Sequence, residues 1–188
     1  MKVSKAQAQA NRAHIVETAA RLFRERGYDG VGVADLMAAA GFTHGGFYKH
    51  FTSKADLMAE AAAFGLAQSI QAAAQSDAAS FITYYLSREH RDAPGAGCAF
   101  AALSGDAARQ SAELKATFAA AIERMLAQPA AADTALDEAA LRCVNIQRMA
   151  QMIGTLILSR ACPDDSPLAD EILEVGRHWA LAPSDATP

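Results

Sequence analysis

Residues 33–51, Val-Ala-Asp-Leu-Met-Ala-Ala-Ala-Gly-Phe-Thr-His-Gly-Gly-Phe-Tyr-Lys-His-Phe, leave this chain few ways to fold. Ala34, Leu36, Met37 and Ala40 recur at helical spacing. Gly41 follows where a helix stops, because glycine takes a left-handed cap without steric cost. Thr43 is placed to cap a second short helix by accepting backbone N–H bonds. On that segment Phe47 and Phe51 are four apart and share one face, which suits anchoring to a core. His44, Gly45, Tyr48 and Lys49 fall on other faces. The pair Gly45–Gly46 costs a helix about 1 kcal/mol per glycine relative to alanine. Close approach of another backbone would justify that cost. With Lys49, His44 and Tyr48 alongside, a nucleic-acid backbone fits: lysine neutralises phosphate, and histidine and tyrosine donate to phosphates or base edges. The same corner also occurs in proteins that bind no nucleic acid, so spacing alone leaves both readings open.

The rest of the chain is helical in character. Hydrophobic residues make up 52% of 188 residues, enough for a sizeable core. Aromatics are only 7% and alanine is abundant, a composition that favours helix. No convincing alternating strand pattern is present, and no internal repeat. The fold class expected is all-α. The net charge of −4 is unevenly spread. Residues 1–60 carry eight Lys/Arg against six Asp/Glu, or +2, which leaves −6 on the remainder. Lys2, Lys5 and Arg12 precede the first acid, a basic arm that suits an anionic partner. Cys98, Cys143 and Cys162 are widely separated and odd in number, which argues against a disulfide framework or zinc site. His14, His44, His50, His90 and His178 lack metal-ligand spacing. No metal and no cofactor are expected. No apolar run is long enough to span a membrane, and the N-terminus lacks the apolar stretch of a signal peptide. A cytoplasmic protein is expected, with no membrane partner.

In chain order, the first helix is predicted over residues 7–26, with Ile15, Ala19, Leu22 and Phe23 inward and Gly27 closing it. Gly32 caps a second helix, and a third runs over residues 44–50. Ser53 to Asp56 forms a capping box that opens a long helix toward Gln75. One helix is predicted over residues 77–90. Residues 91–97, rich in proline and glycine, break it. A short helix follows over residues 98–103, loosened by Ser104 and Gly105, and another over residues 112–128, stopped by Pro129. Thr134 and Asp137 suggest a second capping box, opening a helix that ends at Ala161. Ser166 caps and Pro167 begins the last helix, which ends near Leu181. Residues 183–188 read as a frayed tail.

Four stretches in sequence carry a resemblance. Ile15-Val-Glu-Thr-Ala-Ala-Arg-Leu-Phe-Arg-Glu-Arg-Gly27-Tyr28, Val33 to Gly41, Gly45-Gly-Phe-Tyr-Lys-His-Phe51 and Ser53-Lys-Ala-Asp-Leu57 closely resemble the DNA-binding domain of TetR-like transcriptional regulators. The match runs without a gap over residues 12–60. Beyond it the chain agrees only in helix count and length, although Cys98-Ala-Phe-Ala-Ala-Leu103 is similar to a segment from one branch of the family. The resemblance implies an N-terminal helix-turn-helix domain over residues 1–52. It also implies a larger helical effector-binding and dimerisation domain over residues 53–188; the segments read along the chain make about nine helices in all. The implied function is a repressor, released from a palindromic double-stranded operator by a small-molecule effector and acting as a homodimer. It implies no enzymatic activity. Carried over residue by residue, Thr43, His44, Gly45, Gly46, Tyr48, Lys49 and His50 belong to the recognition helix or its entry, and Lys54 is a further phosphate candidate. Phe47 and Phe51 hold that helix to its domain. Gly32 departs from the serine or threonine more usual in the family, so a phosphate contact there would have to come from the backbone N–H.

An effector pocket would lie among helices of the second domain, apolar with a few polar groups. Phe64, Tyr84, Phe100, Leu103, Phe118, Ile122, Asn145, Arg148, Met149 and Met152 are its candidates, each with ordinary core as the competing role. Arg148, on an otherwise apolar helix, either faces solvent or awaits an anion. The dimer contact would use the last two helices, packed against their copies as a four-helix bundle. Gly154 and Gly176 permit close approach; Leu156, Ile157, Ile172, Leu173, Val175 and Trp179 supply apolar area. Two alternatives stay open. Cys98 could be the input, sensing oxidants or electrophiles, or be inert core. Or the chain could be a helical small-molecule binder or enzyme that keeps only the N-terminal shape.

Overall fold

A computed structural model describes residues 4–128 and 137–182. Lys2, Pro129, Thr134 and the tail from Pro183, all named above, lie outside the described residues. Within them every regular element is helical: α1 (Lys5–Arg26), α2 (Val33–Ala39), a 3-10 helix (His44–Lys49), α3 (Lys54–Gln75), α4 (Ala78–Tyr85) and α5 (Arg88–Asp92). A 3-10 turn (Pro94–Ala96) follows, then α6 (Ala99–Ala107), α7 (Ala112–Leu126), α8 (Glu138–Arg160) and α9 (Pro167–Leu181).

Contacts divide the chain into two compact units. The first takes residues 1–69 and 98–121; the second takes residues 70–97 and 122–188. The chain passes from one to the other inside α3, after Gly97, and inside α7. These boundaries follow packing and differ from the functional division expected at residue 52.

In the first unit α1 packs on α2 and α6, and α2 packs on the 3-10 helix. Ile15, Phe23, Tyr28, Leu36, Met37, Phe47, Leu57, Leu66 and Phe100 are essentially inaccessible. Gly27 ends α1 at φ +73°, and its N–H donates to the Phe23 carbonyl at 2.8 Å. Gly41 follows α2 at φ +78°. L-residues resist both conformations, which is why glycine occupies these two positions. Beside Gly27, the Asp106 carboxylate on α6 accepts the Tyr28 N–H at 3.0 Å and pairs with Arg109 at 2.6 Å. The Tyr28 ring is fully enclosed, its hydroxyl has no partner among the described residues, and burial pushes the phenol upward, with Asp106 adding to the shift.

In the second unit α8 packs along α9, α4 on α9, and α5 on α4 and α8. Arg91 on α5 is buried at 3% exposure. It donates to the Ser159 carbonyl and hydroxyl and to the Cys162 carbonyl, and pairs with Asp164 at 3.1 Å. Arg160 returns two bonds to the Arg91 and His90 carbonyls at 2.9 Å. The end of α8 and all of α5 are thus one hydrogen-bonded block.

Several expectations change. The helix expected over residues 77–90 is two: Leu86 leaves helical geometry, and Ser87 caps α5 by accepting the His90 N–H at 3.2 Å. α5 then runs through Arg91 to Asp92, so the break begins two residues later than the glycine and proline content suggested. α6 continues through Ser104 and Gly105 to Ala107. Three caps differ from expectation. The Thr43 and Ser166 side chains accept no cap bond. α8 starts at Asp137, whose side chain accepts the Ala140 N–H at 2.8 Å; the capping pair expected with Thr134 falls outside the described residues. At α3, Ser53 Oγ accepts the Asp56 N–H at 3.1 Å, but Asp56 returns its bond to the Thr52 N–H at 2.9 Å, one residue earlier than an ideal box.

Candidate nucleic-acid interface

Residues 33–51 fold as a hairpin of short helices, with their aromatic residues divided between core and solvent. Phe47 and Phe51 are exposed at 1% and 2%, with ring centroids stacked 5.6 Å apart. Tyr48, between them in sequence, is 72% exposed, and its ring meets Phe47 edge-on at 5.3 Å. His44, Gly45 and Lys49 are exposed as well. The six-residue element is a 3-10 helix, so positions three apart eclipse. His44 and Phe47 therefore stand nearly in line along it, and Gly45 shares its line with Tyr48. The Thr43 carbonyl accepts the Gly46 N–H at 2.9 Å, so the entry is closed by backbone rather than by the threonine hydroxyl.

The two glycines are not equivalent. A Cβ on Gly46 would sit 3.6 Å from Thr43 Oγ1 and 3.7 Å from Met37 Cε, in ordinary contact with the chain itself. A Cβ on Gly45 would meet nothing within 4 Å. Among the described residues nothing requires position 45 to be bare.

Three of the expected DNA-contact groups have structural engagements. Lys54 Nζ donates to the Tyr28 carbonyl at 2.6 Å, tying the start of α3 to the α1–α2 turn. The His50 ring is half-buried, 6.2 Å from Phe42 and 6.4 Å from Phe51. The Gly32 N–H, the one donor left there in place of a hydroxyl, already meets the Asp35 carboxylate at 3.3 Å. Arg12, counted in the basic arm, is also committed. It forms a two-pronged pair with Glu60 on α3, which is the leading reason its guanidinium is held above its ordinary value. Sequence reading missed this pair because its members are 48 residues apart and nothing local couples them.

The expected pocket residues divide between the units. Phe64, Phe100, Leu103 and Phe118 belong to the first; Tyr84, Ile122, Asn145, Arg148, Met149 and Met152 belong to the second. Phe100, Leu103, Phe118 and Met152 are buried core, while Tyr84 is about half exposed. Phe64, Ile122, Asn145, Arg148 and Met149 are half-buried. Cys98 is half-buried at the N-cap of α6, and the Ser69 hydroxyl accepts the neighbouring Ala99 N–H at 3.0 Å.

The expected dimer residues sort by face. Ile157 is 41% and Val175 63% exposed, and Ile146, Leu158, Leu168 and Leu181 are also open. A Cβ on Gly154 would meet nothing within 4 Å. Ile172 and Trp179 are half-buried. Leu156 and Leu173 are core. Gly176 serves the chain internally, since a Cβ there would fall 2.4 Å from Thr155 Cγ2 on α8. Leu156, Leu173 and Gly176 are thus engaged within the chain rather than open to a second copy. No described helix is long and apolar enough to cross a membrane, and no described cluster of three or more His, Cys, Asp or Glu could hold a metal.

Residues 15–61 match the family model of bacterial regulatory proteins, tetR family. The chain is 40% identical over 57 residues to the HTH-type transcriptional regulator AcrR of Shigella flexneri, covering 30% of this chain and 26% of that one. It spans about a quarter of the length of such curated relatives. Two solved structures share the fold over nearly the whole length. NemR of E. coli in its reduced form superposes with a TM-score of 0.69 at 16% identity, covering 92% of this chain and 95% of that one. A TetR-family regulator from Cytophaga hutchinsonii does so at 0.66 and 20% identity, covering 96% of each.

Proposed function

We propose, for a chain that belongs through residues 15–61 to the tetR family of bacterial regulatory proteins, that it acts as a homodimeric repressor that binds a palindromic operator and leaves it when a small molecule binds. The observation that carries this reading is the division of residues 44–51. Two phenylalanines are buried at 1–2%, and a tyrosine, a lysine, a histidine and a bare glycine are left outside. A helix held by its aromatic anchors and presenting small and cationic groups suits entry into a major groove, where backbone phosphates position it and base edges are read. In this reading Lys49 neutralises phosphate, Tyr48 and His44 donate to phosphate or base edges, and Gly45 admits the DNA backbone. Thr43 and Gly46 shape the entry. Lys54 keeps spare donors but is first a structural tie, and His50 supports the tip from behind. The functional division at residue 52 belongs to the same reading.

The exposed Ile157 and Val175, with open space at Gly154, support a contact between copies through α8 and α9. Effector release rests on the family resemblance, with Phe64, Tyr84, Ile122, Asn145, Arg148 and Met149 as the candidates that are not fully committed to core. The chain is proposed to work in the cytoplasm and to catalyse no reaction. The test uses the full chain and a duplex that it selects from a randomised pool. Affinity should fall steeply with salt, because counterions are released from each neutralised phosphate. Tyr48→Ala and Lys49→Ala should weaken binding while leaving the thermal midpoint near wild type. Unchanged affinity in both variants would remove this helix from the interface. Failure to select any duplex would remove DNA binding altogether.

A further inference from the structure

One side chain joins three elements behind the exposed tip. Arg12 leaves α1 and makes a two-pronged pair with the Glu60 carboxylate on α3. Its Nε donates to the His50 carbonyl at 3.2 Å, at the exit of the 3-10 helix. Its guanidinium carbon lies 4.6 Å from the centre of the Phe51 ring. Phe51 in turn stacks on Phe47, the buried residue in the middle of the tip. Arginine suits this place for reasons lysine does not share: a planar fork matches a carboxylate in two bonds while its face lies on an aromatic ring.

We infer that Arg12 and Glu60 are positioning residues for the reading of DNA: together they set the tilt at which residues 44–50 are offered to the groove, and neither touches DNA. This rests on the DNA-binding reading above and deepens it. A six-residue 3-10 helix has too few internal bonds to hold its own orientation. Its entry is fixed by the turn after α2, and its far end by Phe51 and by the His50 carbonyl, both of which Arg12 contacts. The guanidinium is consumed by Glu60, His50 and Phe51, so little of its charge remains for a phosphate, although it lies on the basic N-terminal arm.

The opposing view, in which Arg12 is a phosphate contact, makes an opposite prediction for its partner. Removing the negative charge of Glu60 near a polyanion should tighten binding if charge alone matters. The positioning role predicts that Glu60→Gln weakens binding to the selected duplex, as Arg12→Gln and Arg12→Lys do. The expected loss is about tenfold to a hundredfold, the scale of one or two misplaced base contacts. Binding to a scrambled duplex of equal length should change little. The slope of log affinity against log salt should stay at its wild-type value in all three variants. Tighter binding by Glu60→Gln, or a slope lowered by about 0.9 per subunit in Arg12→Gln, would overturn the inference. A further measurement needs no DNA: hydrogen exchange at the His50 and Phe51 amides of the full chain. Both amides bond the Phe47 carbonyl, at 2.9 and 3.0 Å. Arg12→Gln and Arg12→Lys should speed their exchange while exchange in α8 stays as in wild type. Unchanged rates at these two amides would sink the positioning role whether or not DNA binding is found.

Discussion

At the residue scale, a side chain is informative when the fold gives no reason for it. Gly45 is the clearest case. Replacing a glycine by alanine where space is open and φ is ordinary stabilises a protein by roughly 0.4–1 kcal/mol through the unfolded state. Gly45→Ala should therefore raise the midpoint of thermal unfolding slightly. If a DNA backbone passes over this position, the same change should weaken operator binding by about tenfold, or 1.4 kcal/mol. A variant both more stable and as tight as wild type would show that position 45 faces water. His90 is the opposite case, a titratable group wholly enclosed. Burial holds it below its ordinary 6.5, and the positive charge of Arg160 lowers it further, against a hydrogen bond with the Tyr85 carbonyl at 2.7 Å. The folded chain therefore resists a proton that the unfolded chain accepts. As pH falls below about 6.5, stability should decline, by at most about 1.4 kcal/mol per pH unit, until the depressed folded value is passed. Urea unfolding of wild type and His90→Gln across that window measures it. Equal slopes in the two proteins would mean that His90 does not titrate as its surroundings dictate.

At the element scale, short helices depend on their ends. α5 is five residues long and could not persist alone. Ser87 supplies its cap, and Ser87→Ala should cost about 1 kcal/mol by denaturant unfolding. A smaller loss would mean that Arg91 and Arg160 hold α5 without the cap. This junction also shows where sequence stopped being legible. α1, α3 and α9 were readable within two residues because each pairs a periodic apolar face with a local end signal: Gly27, the Ser53 hydroxyl, Pro167. The break at Leu86 has no such signal. Leucine favours helix, and Ser87 inside a helical pattern is unremarkable until a buried Arg91 demands that α5 turn toward the end of α8. The tip was readable for the same local reason as α1, since Phe47 and Phe51 declare their face by spacing alone. The partners of its polar residues were not. Lys54 bonds a carbonyl 26 residues away and Arg12 a carboxylate 48 residues away, whereas in sequence Lys54 reads as a phosphate candidate and Arg12 as part of a basic arm.

For the whole molecule, the telling feature is apolar surface that one chain leaves open. Ile157 and Val175 lie on α8 and α9, the two helices that already pack on each other in one unit, so each helix has spent one face internally and kept another. Ile146, Leu158, Leu168 and Leu181 extend the open apolar groups along the same pair. Isolated apolar residues on a surface are ordinary; Ile146 and Ile157, three turns apart on one face of α8, and Leu168 and Val175, two turns apart on one face of α9, are apolar stripes that suit a contact. Gly154 bears on the choice of partner, because among the described residues nothing fills the space beside it. A two-fold axis fits, since an isologous contact buries the same patch twice. Symmetry also makes substitution unusually decisive here. Ile157→Glu places two charges at the contact, one from each copy, and each uncompensated buried charge costs about 3–5 kcal/mol. Since Ile157 is open in the single chain, its own fold should tolerate glutamate. Ile157→Glu and Val175→Glu are therefore expected to keep wild-type helical content by circular dichroism and to run as single copies by light scattering. Each should also lose most affinity for a palindromic duplex while keeping its weak binding to a half-site, because only the pair spans two half-sites about 34 Å apart or a multiple of it. A wild-type chain found single at the concentration where it holds the palindrome, or a glutamate variant still paired, would place the contact elsewhere and leave the row on α8 and α9 unexplained.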